Sequence, residues 1–255
     1  MTERLDEVAR RYTATRRLDV ASQILFYLAA FMSLLNLHLE TLPQLAEFVP
    51  VLFIVLVICY AAASSINSMI LIPSAENHRR KQLLSDGLGV PLTHHQTRQY
   101  YNNGFHPSVE RLGANIMENA HFGSNVSARM LLTERIKVGG YLLLWIFALV
   151  SRSTDLSWLL VLTQLLFSGE ILLKWIRMEL FCLRTKRVFQ SMYTLFLSAK
   201  RSNTAPNHAG ILDEFADYET AKAAASFNHS QRIFQDLNSK LSHEWDRIRA
   251  TIGVP

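Results

Sequence analysis

The sequence predicts an all-α protein that crosses a membrane four times and carries helical cytoplasmic segments in its middle and at its C-terminus. Three observations predict it. Four apolar blocks punctuate the chain, Lys and Arg alternate between rich and poor segments, and no useful stretch shows the apolar–polar alternation of a strand. The 255 residues are 49% hydrophobic and 18% charged, with two cysteines and a net charge of +5. This composition excludes a disulfide-stapled secreted module, a collagen-like repeat and a wholly disordered chain. It leaves soluble bundles and membrane proteins open, and the placement of the apolar residues decides between them.

Residues 1–17 are polar and basic, with Arg4, Arg10, Arg11, Arg16 and Arg17, and read as a cytoplasmic helix. The first transmembrane hairpin follows over 18–72. Its blocks are Leu18–Leu37 and Phe48–Ile72, and the second contains no charge. About 20 helical residues cross the hydrocarbon of a bilayer, and both blocks reach that length. The first block is too long for a signal peptide, lacks a small-x-small cleavage site and is followed at once by another block. A cytoplasmic helical segment is expected over 73–137. The second hairpin, 138–176, holds a short block, Val138–Val150, and a longer one, Leu156–Ile176. Lys137 can snorkel and so lengthen the shorter block. A cytoplasmic helical region completes the chain over 177–255.

The basic residues sort the loops. Five lie in 1–17, none in 38–47, eight in 73–137, only Arg152 in 151–155, and twelve in 174–255. The positive-inside rule then places both termini and the middle segment in the cytoplasm of a multi-pass inner-membrane protein. Topology and anionic lipid account for the excess positive charge. No basic–aromatic motif calls for nucleic acid, so nucleic acid is not an expected partner. The lipid bilayer and a second copy of the chain are.

In the middle segment, Ala75–Leu84 continues the second block as a helix, and Asp86-Gly87-Leu88-Gly89 with Pro91 breaks it. Asn102-Asn103-Gly104 and His106-Pro107 signal turns. A helix over 108–135 carries Val109, Leu112, Ile116, Ala120 and Met130 at near-helical spacing. The last part continues the fourth block as a helix over 180–200, loops at 201–207, and forms a further helix over 211–226. The clearest amphipathic stripe is Phe234, Leu237, Leu241, Trp245, Ile248 and Ile252, in steps of three and four. It is suited to pack on a partner helix, in the same chain or in a neighbouring subunit, and is the candidate assembly surface.

No motif for a phosphate cradle, a nucleophile elbow or a zinc protease is present, nor any CxxC. No enzyme, catalytic residue, cofactor or metal is expected. Cys59 and Cys182 read as packing residues. The basic and aromatic residues Arg79, Arg80, Arg98, Tyr100 and Tyr101 are the candidates for a cytoplasmic ligand or partner, with lipid contact and loop packing as the plainer readings. Polar residues within a span are costly and mark candidate sites. Asp19 and Gln23 open the first span, Asn67 closes the second, and Glu170 and Lys174 sit in the fourth, spaced to pair at i,i+4. They can line an inner vestibule or bind helix to helix.

Two hairpins with basic cytoplasmic ends, flanking a helical cytoplasmic segment, resemble the SMODS-associated four-transmembrane effector family of bacterial antiphage systems. The membrane accessory proteins of type VI-B CRISPR and of RADAR-like systems are similar in plan. The stretches that carry the likeness are Ala75-Glu76-Asn77-His78-Arg79-Arg80, Asp86-Gly87-Leu88-Gly89, Tyr100-Tyr101-Asn102-Asn103 and Glu118-Asn119-Ala120-His121-Phe122. Tyr218-Glu219 and Leu241-Ser242-His243-Glu244-Trp245-Asp246-Arg247-Ile248 add to it. The resemblance implies an inner-membrane effector activated by a cytoplasmic sensor or a nucleotide second messenger. Its oligomers would then permeabilise or perturb the membrane. A scaffold that conducts nothing and a membrane enzyme with a site around Glu170 are the alternatives.

Overall fold

The computed structural model describes residues 7–36, 44, 47–94, 101, 103–150 and 171–255. Among them the chain is all-helical, with six helices and no strand: α1 (Glu7–Asn36), α2 (Phe48–Leu88), α3 (Val109–Val150), α4 (Leu172–Ser202), α5 (His208–Ala225) and α6 (Gln231–Ile252).

Local chemistry sets the ends. Gly89 adopts φ +69 and its N–H closes on Ser85 O at 2.9 Å, which stops α2. An L side chain rarely takes that conformation. Ser108 caps α3 by accepting from Arg111 N at 3.2 Å. Asn207 caps α5 through Ala209 N and Gly210 N, and Ser230 caps α6 through Ile233 N. Gly253, at φ +77, ends α6, and Val254 N reaches back to Arg249 O.

Inside α2, a π-helical turn spans Asn67–Leu71, with Ile72 N bonded to Asn67 O. Its cause lies next to it. Pro73 has no N–H for the Met69 carbonyl and its ring crowds that carbonyl. Opening one turn to i→i−5 bonding keeps the helix continuous through the proline.

The chain divides into two compact units. The first comprises residues 1–12, 73–131 and 177–255, and the second comprises 13–72 and 132–176. The first unit has a closed core of Leu83, Leu112, Ile116, Met117, Met192, Phe196, Ile211 and Trp245. Here the α6 stripe is used within its own chain. Leu241, Trp245 and Ile252 are buried, Ile248 packs on the core, and the Phe234 ring lies 6.0 Å from that of Phe122. Half of the stripe is thus taken up by the chain's own core, while Phe234, Leu237 and Ile248 stay half-buried.

The second unit is built differently. Its small cluster of Phe26, Val138 and Ile171 is joined by Tyr60, Tyr141 and Trp175. Around it, large apolar side chains face outward: Ile24, Phe31, Val51, Ile54, Ile58, Ile136, Phe147 and Val150 are all exposed.

Of the four spans expected, one is recovered among the described residues as a helix long and apolar enough to cross a membrane. That is α2, with mean hydropathy 2.5 over its most apolar window, of which 6% is buried. The apolar part of this helix is 48–72. The remaining blocks stand otherwise. The first begins with Asp19, Ser22 and Gln23, which dilute it, and the third is a short apolar end to a helix that carries Glu134, Arg135 and Lys137 just before. Most of the fourth, with Glu170, lies outside the described residues.

Candidate functional site

The first unit contains a buried polar network that joins α1, α2, α3, α5 and the segment after α5. Helical spacing puts Glu76, Arg79 and Arg80 on one side of α2, and Tyr218, Glu219 and Lys222 on one side of α5. Arg79 Nε donates to Glu76 Oε2 at 2.7 Å, and Arg79 Nη2 donates to both oxygens of Glu219 at 2.8 and 2.7 Å. Arg80 Nε adds a bond to Glu219 Oε2 at 2.8 Å. Lys222 Nζ lies 3.4 Å from Glu76 Oε1 and 3.1 Å from His229 Nδ1. His229 Nε2 meets Ser127 Oγ at 3.2 Å. The Lys222 ammonium lies over the Phe181 ring, 5.4 Å from its centre, and the Arg79 guanidinium is 5.6 Å from that of Tyr218.

The charges decide the protonation states. Burial alone would raise the Glu76 carboxyl, but Lys222 and then Arg79, with hydrogen bonds from Tyr12 and Arg79, hold it down at about 2. Burial and the Glu76 charge push the Tyr12 hydroxyl up, so it stays protonated and donates. Burial lowers Lys222 against the pull of Glu76. Burial and then the neighbouring Lys222 push His229 well below the usual histidine range. A lysine ammonium only donates. His229 is therefore neutral, accepts at Nδ1 and donates its Nε2–H to Ser127.

Such a network joins distant segments. Ser127 and Glu76 are both buried. A buried ionic group left without its partner is strongly destabilising, so the network favours one arrangement of these segments.

Two further polar clusters complete the unit. Asp86 accepts from Arg111 Nη2 at 2.9 Å and from Asn115 Nδ2 at 2.8 Å, and Asn103 Nδ2 donates to Asn115 Oδ1 at 2.7 Å. Arg111 Nη1 also donates to Phe105 O. This cluster holds the end of α2, the segment after it and the start of α3. The second is His121, with Glu244 Oε2 3.7 Å from its Nε2 and the Phe189 ring at 5.4 Å. Burial holds His121 below the usual range, against the pull of Glu244.

The other expected site residues fall as follows. Arg79 and Arg80 point into the network, so Arg79 is already occupied. Tyr101 receives a bond from Asn119 Nδ2 at 2.9 Å and packs on the core. Arg98 and Tyr100 lie outside the described residues. In the second unit, Gln23 Nε2 donates to Asp19 Oδ2 at 3.2 Å. Asn67 is buried, and its Oδ1 has no partner among the described residues. Lys174 faces Glu134 at 4.0 Å, and Lys137 reaches the same carboxylate at 3.2 Å. The i,i+4 spacing to Glu170 had not suggested Glu134, whose place on another helix leaves no local trace in the sequence.

Sequence reasoning missed Lys222, His229, Ser127, Asp86 and Glu134 as members of polar clusters. Glu76 and Glu219 were quoted only within the resemblance. Glu76, Arg79, Asp86, Asn103, His121, Glu219 and Glu244 all lie in the stretches quoted there, and the fold brings them into the three clusters. A shallow groove of about 440 Å³ between α4 and α5 is lined by Arg187, Ser191, Asp213 and Glu214, among others. Burial raises the Glu214 carboxyl against a hydrogen bond from Ser191, with Asp217 and Asp213 adding to the rise. Among the described residues, no group of three His, Cys, Asp or Glu side chains could hold a metal ion.

No family model, curated protein or solved structure matches this chain.

Proposed function

We propose that this chain is a non-enzymatic, four-span inner-membrane effector of bacterial antiphage defence. It self-associates and permeabilises or perturbs the membrane when a cytoplasmic sensor or second messenger acts on it. The reading places the second unit in the bilayer and the first in the cytoplasm. One observation carries it: the outward-facing apolar surface of the second unit, with Ile58 63%, Ile136 76%, Phe147 71% and Val150 75% exposed. Monomeric soluble proteins rarely expose large apolar side chains in such number on one small unit, and lipid is the solvent that removes the penalty. The alternating basic charge of the sequence agrees with the same orientation.

One observation favours a second reading, a membrane scaffold that conducts nothing. Lys174 and Lys137 both face Glu134 rather than standing open to a lumen.

Topology is tested by reporter fusions after Asn36, Ser108 and Pro255. The four-span reading expects a periplasmic signal at the first and cytoplasmic signals at the other two. A cytoplasmic signal at Asn36 would contradict it. Function is tested by growth under phage challenge. The effector reading expects an early arrest that requires the protein, and unaltered growth would oppose it.

A further inference from the structure

The α4 helix presents an exposed face that the core does not use. Met178, Phe181, Cys182, Thr185, Val188 and Met192 are buried on one side. On the other, Arg177, Leu180, Leu183, Arg184 and Arg187 are exposed, with Leu180 at 46% and Leu183 at 62%. Steps of three and four place these five on one stripe. Arg177 and Arg184 form no ion pair among the described residues, while Arg187 lies near Glu214.

We propose that this stripe is a binding surface for anionic lipid headgroups. It rests on the bilayer reading above. Leucines interleaved with arginines suit an interface, where apolar side chains dip below the headgroups and guanidiniums hold phosphates in bidentate pairs. The position fits. The stripe directly follows the apolar block that ends at Ile176, and Leu180 and Leu183 come four and seven residues later, roughly 6 and 10 Å along a helix. A headgroup layer is roughly 5–8 Å deep, so Leu180 falls within it and Leu183 at its outer edge, with its side chain directed back towards the N-terminal end of the helix. A second copy seated face to face is opposed by charge, because it would bring two sets of arginines together with no acidic side chain on the stripe to separate them.

The test uses the full chain carrying Cys59→Ser, reconstituted into nanodiscs of phosphatidylcholine alone or mixed with phosphatidylglycerol. A nitroxide is placed at Leu183→Cys or, as a control, at Ile58→Cys. Collisions with lipid-dissolved oxygen and with an aqueous nickel chelate report depth. The expected result is a label at 183 that becomes shielded from nickel when phosphatidylglycerol is present. Arg177→Gln and Arg184→Gln should each weaken that preference about fivefold. A label at 183 open to nickel in both discs, with 58 shielded, would overturn the proposal and leave the bilayer reading intact. Spin–spin broadening at 183 would overturn it in favour of a second copy. A label at 58 open to nickel would overturn the bilayer reading and the proposal together.

Discussion

Arg79 and Glu219, separated by 140 positions in the chain, meet through two hydrogen bonds of 2.8 and 2.7 Å from one guanidinium nitrogen. Arg80 adds a third contact to the same carboxylate, and Glu76 holds Arg79 from the other side. The contact ties α2 to α5, and through Lys222 it reaches His229 and Ser127.

Removing one partner should cost far more than an exposed ion pair. Glu219→Gln removes the carboxylate that two arginines share and leaves the deeply buried Arg79 with Glu76 alone. Breaking such a pair costs about 3–5 kcal/mol. The apparent Tm in detergent should fall by on the order of 10 °C. Arg232→Gln, at an exposed position, should change it by about 2 °C or less. Equal effects of the two variants, read by circular dichroism, would show that the contact contributes little.

Acid should loosen the first unit in stages. His229 and His121 both have depressed values in the folded chain, so the unfolded chain binds protons first. Stability is therefore full above about pH 6.5 and falls as pH drops below it, by up to about 1.4 kcal/mol per pH unit for each histidine. Glu76 is depressed to about 2, so its contribution is present above the ordinary carboxylate range and is lost as pH falls towards 2. His229→Gln should remove one histidine's share of the first slope, measured as denaturation midpoint against pH between 7 and 5. An unchanged slope would place the burial of that ring in doubt.

The left-handed turn after α2 should reject a side chain. At Gly89 the backbone sits at φ +69, and an added Cβ would lie 2.8 Å from Pro107 Cβ. Gly89→Ala should destabilise by about 1–2 kcal/mol. Gly139→Ala, in α3 with open space around the added carbon, should be neutral or slightly stabilising. Thermal melts of the two variants side by side read the difference.

Trp245 is fully buried, and its Nε1 has no hydrogen-bond partner among the described residues. Trp245→Ala should cost about 3–5 kcal/mol through the cavity it leaves. Trp245→Phe removes the unpaired donor together with part of the ring, so its cost should be much smaller. A phenylalanine variant as unstable as the alanine one would mean that the indole nitrogen is bonded after all.

Much of the helical plan was legible, because it rests on local signals. The α6 stripe and the Gly89 stop each lie within a few residues of the element they define, whereas the Asn207 and Ser230 caps came only from the structure. The continuity of α2 through Pro73 was legible from Ala75–Leu84, but the π-turn that permits it was not. The polar clusters were mostly hidden. Arg79 stood out by charge, while its partner Glu219 is an ordinary acid on a distant helix, and nothing near Lys174 pointed to Glu134. Among the described residues one of the four blocks lies in a helix long and apolar enough to cross a membrane, and Asp19 and Gln23 at the start of one block and Lys137 just before another dilute those two.

The most direct measurement is dye and ion leakage through the inner membrane of cells expressing the protein, with and without phage challenge. The account predicts intact membranes at rest and leakage on challenge. It also predicts that the leakage is lost in a chain truncated after Asn207, which lacks α5 and α6 and so Glu219, Lys222 and His229. Membranes that stay sealed under challenge, with the protein correctly inserted, would contradict the account and leave the non-conducting scaffold in its place.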